Sequence, residues 1–227
     1  MQGIFEAQLS GKFNEDSYNI VFQEKRKDHS TKDQVMAIAK EYEVDILVIG
    51  LHGRKKEGED HTICGSTVTQ VSQASGVDSV LVVKGIEQRA KKDSGAFRFA
   101  VCLDGSANAL KALESTFKFM DTSKDWIDVI HVEKLSVQSD SVKAAAEELF
   151  AAHGITNHTF NLIAFNPDNT REESILDHVH EASTPYVDFF VVANHGTGYS
   201  KHKDKGYLGR VAKGLLTKSK TNVLLVI

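Results

Sequence analysis

Cysteine is almost absent: Cys64 and Cys102 are the only two in 227 residues. Two cysteines make no disulfide framework and suit a reducing compartment. Proline is equally scarce, with Pro167 and Pro185 alone, so long helices and strands can run uninterrupted. Positive charge is not in excess, with 27 Lys and Arg against 31 Asp and Glu and a net charge of −4. That argues against a general nucleic-acid binder, whose phosphate contacts need a basic face. No apolar run approaches the ~20 residues of a membrane helix, so no membrane partner is expected. The opening MQGIFEAQLSGKF lacks the basic flank and apolar stretch of a signal peptide. The expected location is cytoplasmic.

Hydrophobic residues make up 41% of the chain and charged residues 26%, enough for a buried core under a solvated surface. The sequence also repeats itself. Asp45-Ile-Leu-Val-Ile-Gly50 is echoed by Asp188-Phe-Phe-Val-Val-Ala193, and His52-Gly53 by His195-Gly196. Gly65 then matches Gly209, and Val80-Leu-Val-Val83 matches Leu224-Leu-Val-Ile227. One order of apolar strand, Gly-containing loop, helix and apolar strand therefore occurs twice. The strands are continuous apolar runs rather than alternating ones. Such runs fit parallel strands covered on both faces, hence an α/β fold with an open parallel sheet.

The second copy reads as complete. Strands are predicted at 97–103, 126–132, 159–165, 187–192 and 222–227, and helices at 107–120, 141–153, 172–182 and 208–216. Ser106 is the expected cap of the first helix, and Gly154 the expected stop of the second. The first copy is shorter. It has a short helix near Ile4–Phe13, a candidate strand at 18–23, and a capping-box pattern Thr31-Lys-Asp-Gln34 opening a helix. Then come the strand to Gly50, a helix from Gly65 and a strand at 79–83. The expected organisation is an incomplete domain at 1–86, a charged linker at 87–96 and a complete domain at 97–227.

A parallel strand feeding a helix through a Gly-containing loop suits phosphate. Glycine lets the backbone approach an anion, and the helix start offers free N–H groups and the positive end of its dipole. Gly50, Gly53, Arg54, Gly65, Ser66 and Thr67 supply these parts in the first copy. A plain strand–helix connection in which glycine only terminates and caps is the alternative. Neither a Walker loop nor a G-x-G-x-x-G loop occurs.

The stretch Val48-Ile-Gly-Leu-His-Gly-Arg54, then Gly65-Ser-Thr67, then Val80-Leu-Val-Val83, resembles the signature of the universal stress protein family, G-x2-G-x9-G-[ST] before a final apolar strand. Eleven residues rather than nine separate Gly53 from Gly65. The resemblance implies a Rossmann-like, five-stranded parallel sheet of order 3-2-1-4-5 in each of two repeats. It also implies ATP binding in one branch of the family, where an Asp after the first strand reaches adenine and the Gly motif after the fourth holds ribose and phosphates. Asp104 matches that Asp, but its own repeat carries Ala193 for the first motif glycine and Arg210 for the hydroxyl residue. The phosphates are therefore expected on the first copy. The resemblance further implies antiparallel pairing of the two fifth strands, within one chain or in a homodimer.

The functional expectation is a stress-response signalling or binding module that binds ATP, with magnesium carried by the nucleotide, and turns it over little or not at all. The competing expectation is a scaffold without nucleotide, acting through domain pairing and protein partners. A slow ATPase would need a base that the spacing does not reveal, and no catalytic residue is assigned. His178 and His180, two apart on a helix, do not face each other, and no metal site is expected. Glu172 and Glu173 read as a solvated helix face. His195 and His202 read as solvated loop residues.

Overall fold

A computed structural model describes residues 24, 26–51, 66–72, 76–84, 95–133, 138–181, 186–197 and 208–227, with only the backbone described at 66 and 67. The apolar runs form strands β1 (Ile46–Gly50), β2 (Ser79–Val83), β3 (Arg98–Cys102), β4 (Trp126–Val132), β5 (His158–Ile163), β6 (Phe189–Ala193) and β7 (Asn222–Val226). The helices between them are α1 (Thr31–Glu41), α2 (Ser66–Val71), α3 (Ala107–Thr116), α4 (Ser139–His153), α5 (Arg171–His180) and α6 (Arg210–Lys218). The short helix and strand expected before residue 24 lie outside the described residues. So do Cys64, His202 and most of the expected linker.

One sheet runs β1-β2-β7-β6-β3-β4-β5. Within the second copy every pairing is parallel, and the order is 3-2-1-4-5, as the family resemblance implies. The copies meet where β2 runs antiparallel to β7, in the register Val80 to Leu225 and Leu81 to Leu224. The two fifth strands thus pair within the chain, and neither is left as an apolar edge.

Continuous apolar strands need cover on both faces, and the second copy has it. Ile175 and Leu176 of α5 and Leu215 and Leu216 of α6 pack on one face with Ala100, Phe190 and Val223. Leu113 of α3 and Ala146 and Phe150 of α4 pack on the other with Val101, Val129 and Val191. Helices α1 and α2 join the first face through Ala39, Val68 and Val71. On that face Leu47 and Ile49 of β1 meet the core, whereas Val48 between them is 58% exposed.

Local signals set the helix ends. Ser106 caps α3 by accepting from the Ala109 N–H at 3.2 Å, and Gly154 ends α4 at φ 65°. The cap of α1 is Ser30, one residue before the expected box, accepting from the Asp33 N–H at 3.2 Å. Gln34, expected to complete a box, is instead buried and holds the preceding strand of chain through Glu24 O and the Arg26 N–H. A capping box does occur at α5, where Thr170 and Glu173 exchange bonds. Glu172, read as solvated, is buried against α6 beside Gly214. Helix spacing alone did not reveal that a second helix lies across it.

Candidate functional site

Open parallel sheets bind ligands beyond the carboxyl ends of strands, where the winding changes direction. In this sheet that point lies between β3 and β6, whose crossovers leave to opposite faces. A cavity of about 280 Å3 opens there. Cys102, Leu103 and Asp104 line it from β3, Ile130, His131 and Val132 from β4, and Val192 and Ala193 from β6. His195, Gly196 and Thr197 close it from the loop, and Arg171 and Gly209 to Ala212 from the starts of α5 and α6.

Asp104 ties two loops together. Its Oδ1 accepts from the Ser106 N–H at 3.1 Å and the Ser106 hydroxyl at 2.6 Å. Its Oδ2 accepts from the Thr197 N–H, 93 residues away in sequence, at 2.7 Å. Burial raises its pKa, and the bonds from Ser106 and Thr197 outweigh that, leaving it below the usual carboxylate value. The approach of the two loops depends on Gly196, where an added Cβ would clash with the Asp104 carboxylate. Gly209 is similarly close to the neighbouring loop, its N–H donating to Asn194 O at 2.7 Å.

The far wall is a helix start. Gly209 is the N-cap of α6 and supplies no side-chain cap, so the first-turn N–H groups face the cavity without one. Arg210 is the first residue of α6, and Arg171 the first of α5. Cations are disfavoured at that end of a helix unless an anion joins them. Two arginines and one uncapped helix start on one cavity therefore make a wall suited to an anion.

The remaining polar groups are less reactive. Burial pushes the Cys102 thiol up to about 12, with the Asp104 charge adding to it, so it is protonated at neutral pH and no nucleophile. Burial lowers the His195 pKa, which favours a neutral ring. His131 is 1% exposed, and its Nδ1 lies 2.8 Å from Leu103 O. Among the described residues no group of three or more His, Cys, Asp or Glu could hold a metal.

Of the residues expected from sequence, Asp104 is on the cavity wall. Gly50 ends β1, on the far side of β2 from it. Ser66 and Thr67 open α2. Gly53, Arg54 and Gly65 lie outside the described residues. His131, Arg171 and Thr197 belong to the cavity and were not singled out. The available signal for His131 was an imidazole near the carboxyl end of a mostly apolar strand.

These features define an open α/β protein with a cleft at its topological switch point. The chain has the universal stress protein fold. It superposes with TM-score 0.60 on a universal stress protein from Archaeoglobus fulgidus DSM 4304, at 17% identity over 86% of this chain and 64% of that one. It also superposes with TM-score 0.63 on a protein assigned to the universal stress proteins from Pseudomonas aeruginosa UCBPP-PA14, at 13% identity over 100% of this chain and 78% of that one. The chain thus spans just under two thirds of the Archaeoglobus protein's length. No family model and no curated protein matches the sequence.

Proposed function

We propose that the chain is a stress-response binding module of the universal stress protein type, acting in the cytoplasm, that takes an adenine nucleotide at the second-copy cavity with little or no turnover. Two repeats, 1–86 and 97–227 joined by 87–96, form the unit. The observation that carries the reading is the cavity itself: Asp104 and apolar strand ends on one side, Arg171, Arg210 and the uncapped start of α6 on the other. The apolar part suits a purine, and the basic part its phosphates. Magnesium would arrive with the nucleotide, bound by phosphate oxygens and water. Little turnover is expected, because hydrolysis by water would need a general base beside the phosphates, and none is assigned among the described wall residues. The phosphate loop of the first copy, from Gly50 to Thr67, is a second candidate seat. The scaffold reading draws on a different observation, the β2–β7 seam that already joins the two copies.

The test is the nucleotide content of purified protein, measured by mass spectrometry after denaturation, followed by calorimetric titration with ATP. We expect bound adenine nucleotide, or micromolar binding. Neither a retained nor a titratable nucleotide would leave the scaffold reading.

A further inference from the structure

Helix α6 reaches the cavity at one end and the first copy at the other. At its start Gly209 is the N-cap, and Gly209 to Ala212 line the cavity. At its end no left-handed glycine closes the last turn; the C-cap is Ser219, extended at φ −73° and ψ 144°. The last carbonyls meet Lys84 instead, the residue after β2. Its ammonium donates to Leu215 O at 3.0 Å, to Ser219 O at 2.8 Å and to Leu216 O. Its backbone N–H donates to the Asn222 side chain at 3.0 Å, where β7 begins. Leu215, Leu216 and Ser219 are buried, so this cation is set into the seam between the copies.

The helix can carry a shift from that end to the cavity. Its nine residues form one short rod of about 14 Å. It is also fastened to α5. Glu172 lies so close to Gly214 that a Cβ there would clash with its side chain, and the Lys218 ammonium is 2.9 Å from Glu173 Oε1. Arg171, at the start of α5, stands on the same cavity wall. A shift at the end of α6 therefore moves both helix starts. The dipole of α6 works in the same direction, because a cation at its end and an anion at its start stabilise one helix.

We propose that Lys84 is a positioning residue for the cavity: by holding the end of α6 it fixes the Gly209–Ala212 wall, so the first copy sets how tightly the second copy holds an anionic ligand. The inference rests on the adenine-nucleotide reading of this cavity. By linkage, a ligand on that wall strengthens the grip of Lys84 in turn.

Two variants of the full chain test this. Lys84→Met keeps most of the stem and removes the charge. Ala39→Gly weakens the first copy through α1 instead. Backbone N–H exchange, followed by NMR without ligand, reads the wall directly. The N–H groups of Gly209 and Lys213 donate to Asn194 O at 2.7 Å and to Gly209 O at 2.8 Å. In Lys84→Met their exchange is expected to quicken roughly fivefold or more, along with that of Ser219 at the helix end. In Ala39→Gly it is expected to stay within about twofold of wild type. Calorimetric titration is expected to find ATP bound roughly fivefold or more weakly by Lys84→Met, and unchanged by Ala39→Gly. Faster exchange confined to the end of α6 would overturn the inference, as would an equal loss of affinity in both variants. Equal ATP binding by wild type and Lys84→Met would overturn it while leaving the nucleotide reading intact. Binding by none of the three proteins would remove both readings together.

Discussion

Asp104 accepts three hydrogen bonds and holds the β3 loop against the loop after β6. Because its folded pKa lies below the ordinary carboxylate value, its contribution to stability is complete above that value and is lost as pH falls through the folded one. Asp104→Asn should therefore flatten the acid limb of the melting-temperature profile below about pH 4, which thermal scans from pH 2 to 7 would measure. Asp104→Ala leaves the Thr197 and Ser106 N–H groups without their acceptor, at a cost of about 1–3 kcal/mol. Gly196→Ala should disturb the same clasp sterically, since its Cβ clashes with the carboxylate. Overpacking of this kind typically costs about 1–3 kcal/mol. Urea titration should find Gly196→Ala destabilised by that amount and its nucleotide affinity lowered at least tenfold. An unchanged variant would mean that the clasp is not built as described.

Helix α6 connects the site to the other copy. Its start faces the cavity, and its end is held by Lys84, the residue after β2. The Lys84 ammonium donates to Leu215 O at 3.0 Å, to Ser219 O at 2.8 Å and to Leu216 O. A cation at the C-terminal end complements the helix dipole. Lys84→Met should remove about 1 kcal/mol, within the range known for partly buried charges at helix ends. In a protein of this size that lowers the melting temperature by roughly 2–4 °C, measurable by calorimetric scanning. Much of this element-level structure was legible beforehand. Strand runs, the Ser106 cap and the Gly154 stop depend on neighbours in sequence, and the structure keeps them. Ser30 in place of Thr31, and the burial of Glu172, depend on what packs from elsewhere. Lys84 carried no signal in the sequence, because its partners lie more than 130 residues away.

The internal repeat showed two copies of one motif with apolar last strands, and the family resemblance, rather than the repeat itself, supplied the strand order and the antiparallel seam that the structure shows. The sequence and the cavity point to different seats for a ligand. Glycine content favours the first copy, with Gly50, Gly53 and Gly65, over Ala193 and Arg210. A cavity at a switch point also needs the central strand and its Asp, and among the described residues these are β3 and Asp104 of the second copy. Among the described residues β1 pairs with β2 alone, and Val48 on it is exposed. Val48→Lys is therefore expected to shift stability by less than about 0.5 kcal/mol. Ile49→Lys, on the packed face, should cost several times more; chemical denaturation compares the two. The central claim is that ligand binds beside β3 rather than at the first-copy loop. Backbone amide shifts in the full chain, recorded by NMR during ATP titration, address it most directly. The account expects the largest changes at Asp104–Ala109, His131–Val132, Asn194–Thr197 and Gly209–Ala212. Changes confined to Gly50–Arg54 and Gly65–Thr67, or none at saturating ATP, would contradict it.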